Sequence, residues 1–426
     1  MGILLIGVLL ALMVVGIPIA FSIELSGIIF LLVTNMKSMI VVAQRLFMGM
    51  TNYTLIAIPL FTFSGYLMES GGLSRRLVDW VNKFFGWFWG SMGTVTIVCC
   101  TIFAALTGSG PATVAAIGAI MIPSMRNNGY TKEASAGILA SAGALGPIIP
   151  PSVVMIVYGT TMNLSIPDMF MGGVVPGLTI ALGLITVNTI YAVRHDIKPI
   201  KIKYTAKQLI SSTVSAFGVL MLPVIVLGGI YGGIFTPTEA AAVCVVYSLL
   251  LGVIYRELTL ESLVSALKRT IETSAMVILI TGMSGILGWL LSAAQIPRAI
   301  AEAILPYIGG SQTIYILLLL AILFAVGCIM ETLAAVVIIA PILVPIGLEL
   351  GMDPLHLGLV FCIALIVGYI TPPFGCNLFT ASAVAEVSYA QVLKGVLPYL
   401  VMMAIITIVL AFIPSLSIWL PNILKG

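Results

Sequence analysis

Thr107-Gly108-Ser109-Gly110-Pro111-Ala112 joins two apolar segments, 91–106 and 113–125, without a charge and with almost no length of its own. At 1.5 Å per residue those segments reach roughly 20–24 Å, short of a hydrocarbon core about 30 Å thick, so they read as a re-entrant helical hairpin with a Gly/Pro tip. A long apolar run follows over 132–163, interrupted by Gly146-Pro147-Ile148-Ile149-Pro150-Pro151-Ser152. A Pro-Pro pair there removes amide donors, clashes with the preceding turn and unwinds the helix. Both features return later. Segments 311–329 and 333–348 form a second hairpin around Gly327-Cys328-Ile329-Met330-Glu331-Thr332, and the run 355–387 breaks at Gly368-Tyr369-Ile370-Thr371-Pro372-Pro373-Phe374-Gly375.

The Pro-Pro pairs stand 222 positions apart (150 to 372), and the same offset links Gly129 with Gly351, Pro123 with Pro345 and Gly146 with Gly368. Upstream the offset drifts: Ser64-Gly65 pairs with Ser284-Gly285, and Pro18 with Pro237. Two repeats are therefore expected. The first, 1–211, has its hairpin at about 91–125 and its broken helix at about 132–163, and ends in a basic connector. The second, 212–426, has its hairpin at about 311–348 and its broken helix at about 355–387.

Around these features the 426-residue chain is 61% hydrophobic and 8% charged, against about 25% charged in soluble domains. Apolar stretches recur along its whole length, which makes it an all-α polytopic membrane protein. The net charge of +3 and the scattered basic residues exclude a nucleic-acid binder. Cys99, Cys100, Cys244, Cys328, Cys362 and Cys376 lack metal or redox spacing and read as small hydrophobes in packed helices. The segment from Met1 has no positive n-region or cleavage site and reads as a first membrane segment. Within 3–33, Pro18 divides two short spans or bends one long helix.

Basic residues give the orientation. Arg194, Lys198, Lys201, Lys203 and Lys207 mark a cytoplasmic loop. Threading outward with both hairpins re-entrant puts Arg75, Arg76, Lys83, Arg126, Lys132, Arg256, Lys268, Arg269 and Lys394 on the same side, and leaves only Lys37, Arg45, Arg298 and Lys425 outside. The first hairpin then opens to the cytoplasm and the second to the outside, so the repeats have inverted topology, an architecture recurrent among secondary transporters. Amphipathic stretches at 37–50, 74–88, 260–270 and 297–307 are expected as interfacial connectors, or as arms bracing a fixed scaffold against a moving part.

Broken backbone at membrane depth is tolerated where it lines a cavity or binds something. The half-helix from Pro111, behind Ser109 and Gly110, aims N–H groups and a positive dipole end at the tip, a site for a carboxylate; Thr332 takes the matching part in the second hairpin. Carbonyls near Gly108, Gly146, Gly327 and Gly368, hydroxyls of Ser109, Thr113, Ser152, Thr332 and Thr371, and the amide oxygen of Asn377 suit a hard cation such as Na⁺. Glu331, at the second tip, is a candidate proton carrier, gate or ion ligand. Glu239 sits in a helix's first turn, where a carboxylate supports the dipole. Glu24 and Glu386 pair with helix ends or face cavities. With no Lys or Arg deep in an apolar segment, anion binding is expected to rely on dipoles, hydroxyls and bound cations. The chain has no phosphate-binding GxxxxGK[ST] loop, and neither His195 nor His356 is placed beside Ser109, so an enzyme is not expected.

Six segments together carry a resemblance: Ile56-Ala57-Ile58-Pro59-Leu60-Phe61 with Gly65; Thr107–Thr113; Ala116-Ile117-Gly118 with Ile122-Pro123; Gly146–Ser152; Gly233-Ile234-Phe235-Thr236-Pro237-Thr238-Glu239-Ala240-Ala241; and Thr371-Pro372-Pro373. Over its whole length the chain resembles the large permease subunit of TRAP (tripartite ATP-independent periplasmic) transporters. That resemblance implies a multi-pass protein of the bacterial inner membrane with an elevator-type scaffold plus transport domain. It implies a separate small four-helix membrane subunit, an extracytoplasmic substrate-binding protein and a Na⁺ gradient as driving force, with no organic cofactor. Its substrates would be small organic acids: C4-dicarboxylates, sialic acid, other carboxylate sugars or 2-oxo acids. Carried onto this chain, it assigns Ser109, Gly110, Thr113, Ser152, Thr332 and Asn377 to substrate. Gly108, Ser109, Gly146, Pro150, Gly327, Thr332, Gly368 and Thr371 go to Na⁺, and Glu331 to gating or coupling. The alternatives are a stand-alone sodium/dicarboxylate-type elevator carrier, needing neither partner, and an ion channel, which the inverted halves disfavour.

Overall fold

The structure is a computed structural model that describes residues 2–34, 38–199 and 204–425. Lys37, Lys201 and Lys203, used above for orientation, lie outside the described residues. The described residues are helices joined by short turns. Seven helices are long and apolar enough to cross a membrane, eight if one bent pair counts as a span. Side chains such as Val214, Phe217 and Val224 stay exposed on the outer faces, as a lipid-facing surface requires.

The apolar run at the N-terminus resolves into two helices, α1 (Gly2–Val14) and α2 (Ile19–Thr34), parted before Pro18 and packed on each other. Next come α3 (Ile40–Met50) and α4 (Ala57–Ser70), bent by 49° about a short turn, then the amphipathic α5 (Leu73–Phe85). The first hairpin is α6 (Ser91–Thr107) and α7 (Gly110–Asn127). The first broken helix is α8 (Lys132–Gly143) and α9 (Val153–Met162), followed by the long α10 (Ile166–Arg194).

The second half repeats the order. After α11 (Ala206–Tyr231) and α12 (Pro237–Ile254) comes α13 (Leu260–Ala293), then α14 (Ile296–Ile308). The stretch 260–270, expected as a separate interfacial connector, is instead continuous with the span after it, because no Gly or Pro interrupts the 34-residue helix before Gly282. The second hairpin is α15 (Gln312–Ile329) and α16 (Thr332–Glu349); the second broken helix is α17 (Pro354–Val367) and α18 (Cys376–Ala385); α19 (Tyr389–Phe412) and α20 (Ser415–Lys425) close the chain. The start of α7 maps onto that of α16, and the start of α8 onto that of α17, by the offset read from the sequence. Both Pro-Pro bonds are cis, and Gly129 and Gly351 both have positive φ.

Three of the four hairpin arms are longer than their apolar cores: α7, for one, gains Gly110-Pro111-Ala112 at one end and Arg126-Asn127 at the other. An 18-residue arm is about 27 Å long, so arm length alone does not distinguish a re-entrant arm from a span.

Capping side chains set the helix starts. Thr236 and Glu239 form a capping box in which Glu239 accepts from the Thr236 amide at 2.8 Å, the structural role expected of that carboxylate. Two sets of helices each draw on both halves, and contacts of α13 with α16 and of α5 with α6 join the sets. One holds α2–α5 with α11–α13, the other α6–α10 with α15–α20. Small residues let backbones approach where helices cross. A Cβ on Gly137 of α8 would strike the backbone of Gly395 on α19, and Gln391 ties the same crossing by donating to Glu133 at 2.9 Å.

Candidate functional site

α6 ends at Thr107, and Gly108 turns the chain with φ +60, a conformation that glycine adopts freely. Ser109 is the extended N-cap of α7, whose first turn holds Pro111. The Thr107 and Thr113 hydroxyls meet at 2.9 Å, and Thr113 donates to the Ser109 carbonyl at 2.8 Å, which ties the tip to the helix it starts. The tip rests on the first break: a Cβ on Gly108 would lie 2.6 Å from the Pro151 carbonyl oxygen, and one on Gly146 would lie 2.5 Å from that of Ser109. The second half repeats this contact, since a Cβ on Gly368 would enter the backbone of Gly327. In both repeats tip and break touch backbone to backbone.

Asn377, fully buried on α18, joins the halves. Its Nδ2 donates to the Ala140 carbonyl at 3.0 Å, which fixes the amide's orientation. Its Oδ1 is buried without a partner among the described residues, beside the position where Gly110 has no side chain. A buried amide oxygen left unpaired costs about 1–3 kcal/mol.

The N-cap of α16 is Glu331 and not Thr332: its carboxylate accepts from the Ala334 amide at 3.1 Å, and it stands 222 positions after Ser109. Thr332 is the first helical residue, its hydroxyl buried beside that of Tyr369. We expect Glu331→Gln, which keeps an acceptor, to leave the unfolding midpoint near wild type, and Glu331→Leu to lose about 1 kcal/mol with the cap. Uptake retained by the Gln variant would assign Glu331 to capping alone, and uptake lost in a stably folded Gln variant would assign it to coupling.

In front of the tips lies a cavity of about 430 Å³. Gly108, Ser109 and Pro111 reach it from the first hairpin, Glu331 and Leu333 from the second, and Tyr369 and Cys376 from the second broken helix. Its far wall belongs to α4 and α13 and carries Arg269, a basic side chain not named among the expected site residues. Arg269 donates to Glu69 at 3.0 Å and lies 4.1 Å over the ring of Tyr66, whose hydroxyl meets that of Thr273 at 3.2 Å. In sequence Arg269 reads as a charge at the cytoplasmic edge. Only the continuation of α13 beyond it shows that it turns toward the tips.

Of the residues expected at the site, Gly108, Ser109 and Glu331 line the cavity. Gly110, Thr113, Asn377, Gly146, Gly327, Gly368 and Thr332 form the packed layer behind it. Ser152 is committed elsewhere: it donates to the Pro147 carbonyl and caps α9 by accepting from Met155. Pro150 is buried in the break, and Thr371 donates to Val367 at 2.8 Å. Cys376 is an exception among the cysteines, exposed on the cavity wall, while Cys99, Cys100, Cys244 and Cys362 are buried as expected. Glu24 is buried on α2, and Glu386 ends α18 with positive φ; neither lines this cavity.

Comparison with known proteins bears on this arrangement. Residues 6–416 match the family described as "Tripartite ATP-independent periplasmic transporter, DctM component". The chain is 40% identical to the C4-dicarboxylate TRAP transporter large permease protein DctM of Vibrio cholerae, covering 98% of this chain and 96% of that one. It is 34% identical to the sialic acid TRAP transporter large permease protein SiaM of the same organism, covering 98% and 97%. It is also 40% identical, over 96% of its length, to the isethionate TRAP transporter permease protein DctMQ of Oleidesulfovibrio alaskensis, of which it spans 64%. In fold it is similar to the YdaH transporter of Alcanivorax borkumensis, with a TM-score of 0.64 at 14% identity over 88% of this chain and 87% of that one. This chain belongs to the DctM family of tripartite ATP-independent periplasmic transporters, as a large, multi-pass permease subunit of the bacterial inner membrane and not an enzyme.

Proposed function

We propose that this permease carries a small organic acid inward by symport with Na⁺. It would receive the acid from an extracytoplasmic binding protein and work beside a separate four-helix membrane subunit. The observation that carries this reading is the convergence of both hairpin tips on one cavity. Two helix N-termini, Ser109 and Glu331 at their caps, meet there in front of a layer of buried oxygen atoms and opposite an arginine. Helix N-termini and a guanidinium favour a carboxylate, and the relatives above are named for acids. The two helix groups supply a scaffold that holds Arg269 and a moving body that holds the tips, as an elevator needs. By the positive-inside rule Arg269 is cytoplasmic, so the cavity corresponds to the inward-facing state.

The residues fit Na⁺, a hard cation that takes oxygen ligands. In the first half the unpartnered Asn377 Oδ1 and the backbone of Ser109 and Gly146 would hold it. In the second, Thr332, Gly327, Gly368 and Thr371 would do so. Bound Na⁺ supplies positive charge beside the carboxylate. The chain's own part is to hold tip against break, orient Asn377 through Ala140, and present the helix ends to the acid.

The test is uptake of radiolabelled acids into proteoliposomes. They would contain this chain with and without the small subunit, the binding protein and a Na⁺ gradient. Uptake that needs all the components is expected. Uptake by this chain alone would favour the stand-alone carrier, and uptake without Na⁺ would remove the coupling. Asn377→Ala should raise the Na⁺ concentration for half-maximal uptake about tenfold, the loss of one ligand to a charged group; an unchanged Na⁺ dependence would exclude the amide oxygen as a ligand.

A further inference from the structure

Between α3, the C-terminal part of α13, α16 and the end of α9 lies a second cavity, of about 480 Å³. It lies along the C-terminal half of α13, next to the stretch that lines the tip cavity. On α13 the tip cavity takes Arg269 to Val277 and this one Thr281 to Ser292, so one helical turn, about 6 Å, lies between their nearest lining residues. No Asp or Glu lines it among the described residues. Arg45 does, with its guanidinium carbon 5.4 Å from the centroid of the Trp289 ring. Unlike Arg76, Arg269 and Arg298, Arg45 forms no ion pair among the described residues.

The position of Arg45 is fixed from behind. A Cβ on Gly285 would lie 2.7 Å from the Arg45 carbonyl oxygen, and one on Gly49 would lie 2.9 Å from that of Gly282, so α3 and α13 cross here with no slack. The neighbouring amide is biased toward donation. Asn52 Oδ1 accepts from both the amide and the hydroxyl of Thr54, at 3.1 and 2.7 Å, which leaves its Nδ2 donors to offer. An unpaired guanidinium held on an aromatic face, donors beside it and no carboxylate within the walls make a chemistry for an anion. The walls also set its size: a cavity this small, closed on one side by Val337, Pro341 and Pro345, admits a small molecule.

We propose that this cavity is a second binding site for a small organic anion, in which Arg45 and the Asn52 amide hold its carboxylate or sulfonate. The proposal rests on the reading that the cargo is an organic acid, and its residues, Arg45 and Asn52, are not among those that line the hairpin-tip cavity. The second site holds the acid beside the C-terminal half of α13 while the tips open beside the N-terminal half.

The test uses Trp289 as the reporter. Trp80→Phe, Trp87→Phe, Trp89→Phe and Trp419→Phe leave it the only tryptophan, and the purified chain in phosphatidylcholine nanodiscs is titrated separately with succinate, isethionate and N-acetylneuraminate. A saturable change in emission with at least one acid is expected. It should weaken about tenfold or more in Arg45→Gln, recover in part in Arg45→Lys, and persist in Ser109→Ala/Asn377→Ala. No saturable change with any acid, or a change untouched by Arg45→Gln, overturns the site. If phosphatidylglycerol in the disc changes the emission and the acids do not displace it, a lipid phosphate occupies Arg45 and the proposal fails. Failure of the tip site reads out in uptake, and failure of this one in Trp289 emission.

Discussion

Gly146→Val and Gly368→Val should each reduce uptake by the reconstituted transporter to background, while Gly7→Ala and Gly228→Ala leave it near wild type. All four add side-chain atoms at glycines within the apolar body, so the difference lies in what the new atoms meet. At Gly7 and Gly228 a Cβ finds nothing within 4 Å. At Gly146 it meets the carbonyl carbon and oxygen of Ser109 at 2.6 and 2.5 Å and the amide nitrogen of Gly110 at 2.9 Å; at Gly368 it meets the Gly327 backbone. A side chain in the way can rotate, but a backbone in the way moves only if the tip lifts off the break. Overpacking a well-fitted contact costs about 1–3 kcal/mol. Valine adds two further carbons to a gap that already excludes one, so separation of tip from break is the expected relief. Separation disperses the oxygen atoms and turns the α7 or α16 N-terminus away from the cavity. Uptake with a size-exclusion profile of each variant makes the check. A monodisperse Gly146→Val protein that keeps more than a tenth of wild-type uptake would refute the contact as part of the mechanism.

That contact also shows how far sequence alone reaches. Gly and Pro carry their backbone consequences with them, so the tip at 107–112, the break at 146–152 and their counterparts 222 positions on are legible without coordinates. The same offset pairs Ser109 with Glu331, but the sequence reading gave the matching part to Thr332, one residue late, because a threonine reads as the better helix start. Burial of Asn377 against Ala140 was not legible, because it joins side chain and backbone 237 residues apart. Nor was the loss of Ser152 to capping, since a hydroxyl beside a break reads alike whether it faces a ligand or its own helix. The place of Arg269 on the cavity wall was not legible either. Seven hydrophilic or small residues precede the apolar part of α13 without a turn signal, and whether such a stretch lies along the surface or continues into the bundle depends on what it packs against, here α4.

The placement of Arg269 leads to an expectation with opposite signs at two neighbouring residues. Arg269→Gln should raise the acid concentration for half-maximal uptake by about 10- to 150-fold, the range that 1.5–3 kcal/mol for a charge-assisted hydrogen bond implies. Arg269→Lys should recover part of the loss, because it restores the charge without the planar fork and without the stacking on Tyr66. Glu69→Gln should go the other way. Glu69 takes one edge of the guanidinium at 3.0 Å, and the side chains of Arg269 and Glu69 remain 39% and 23% exposed, so an arriving carboxylate meets a cation already half neutralised. At a separation of about 8 Å and an effective dielectric near 40, removing that negative charge favours the substrate anion by about 1 kcal/mol, or roughly fivefold. Tighter holding should also slow release, so the maximal rate falls as the half-saturating concentration falls. If instead both substitutions weaken uptake together, the Arg269–Glu69 pair is only a clasp between α13 and α4. Opposite shifts would mean that Glu69 weakens the grip of Arg269 enough for the acid to leave.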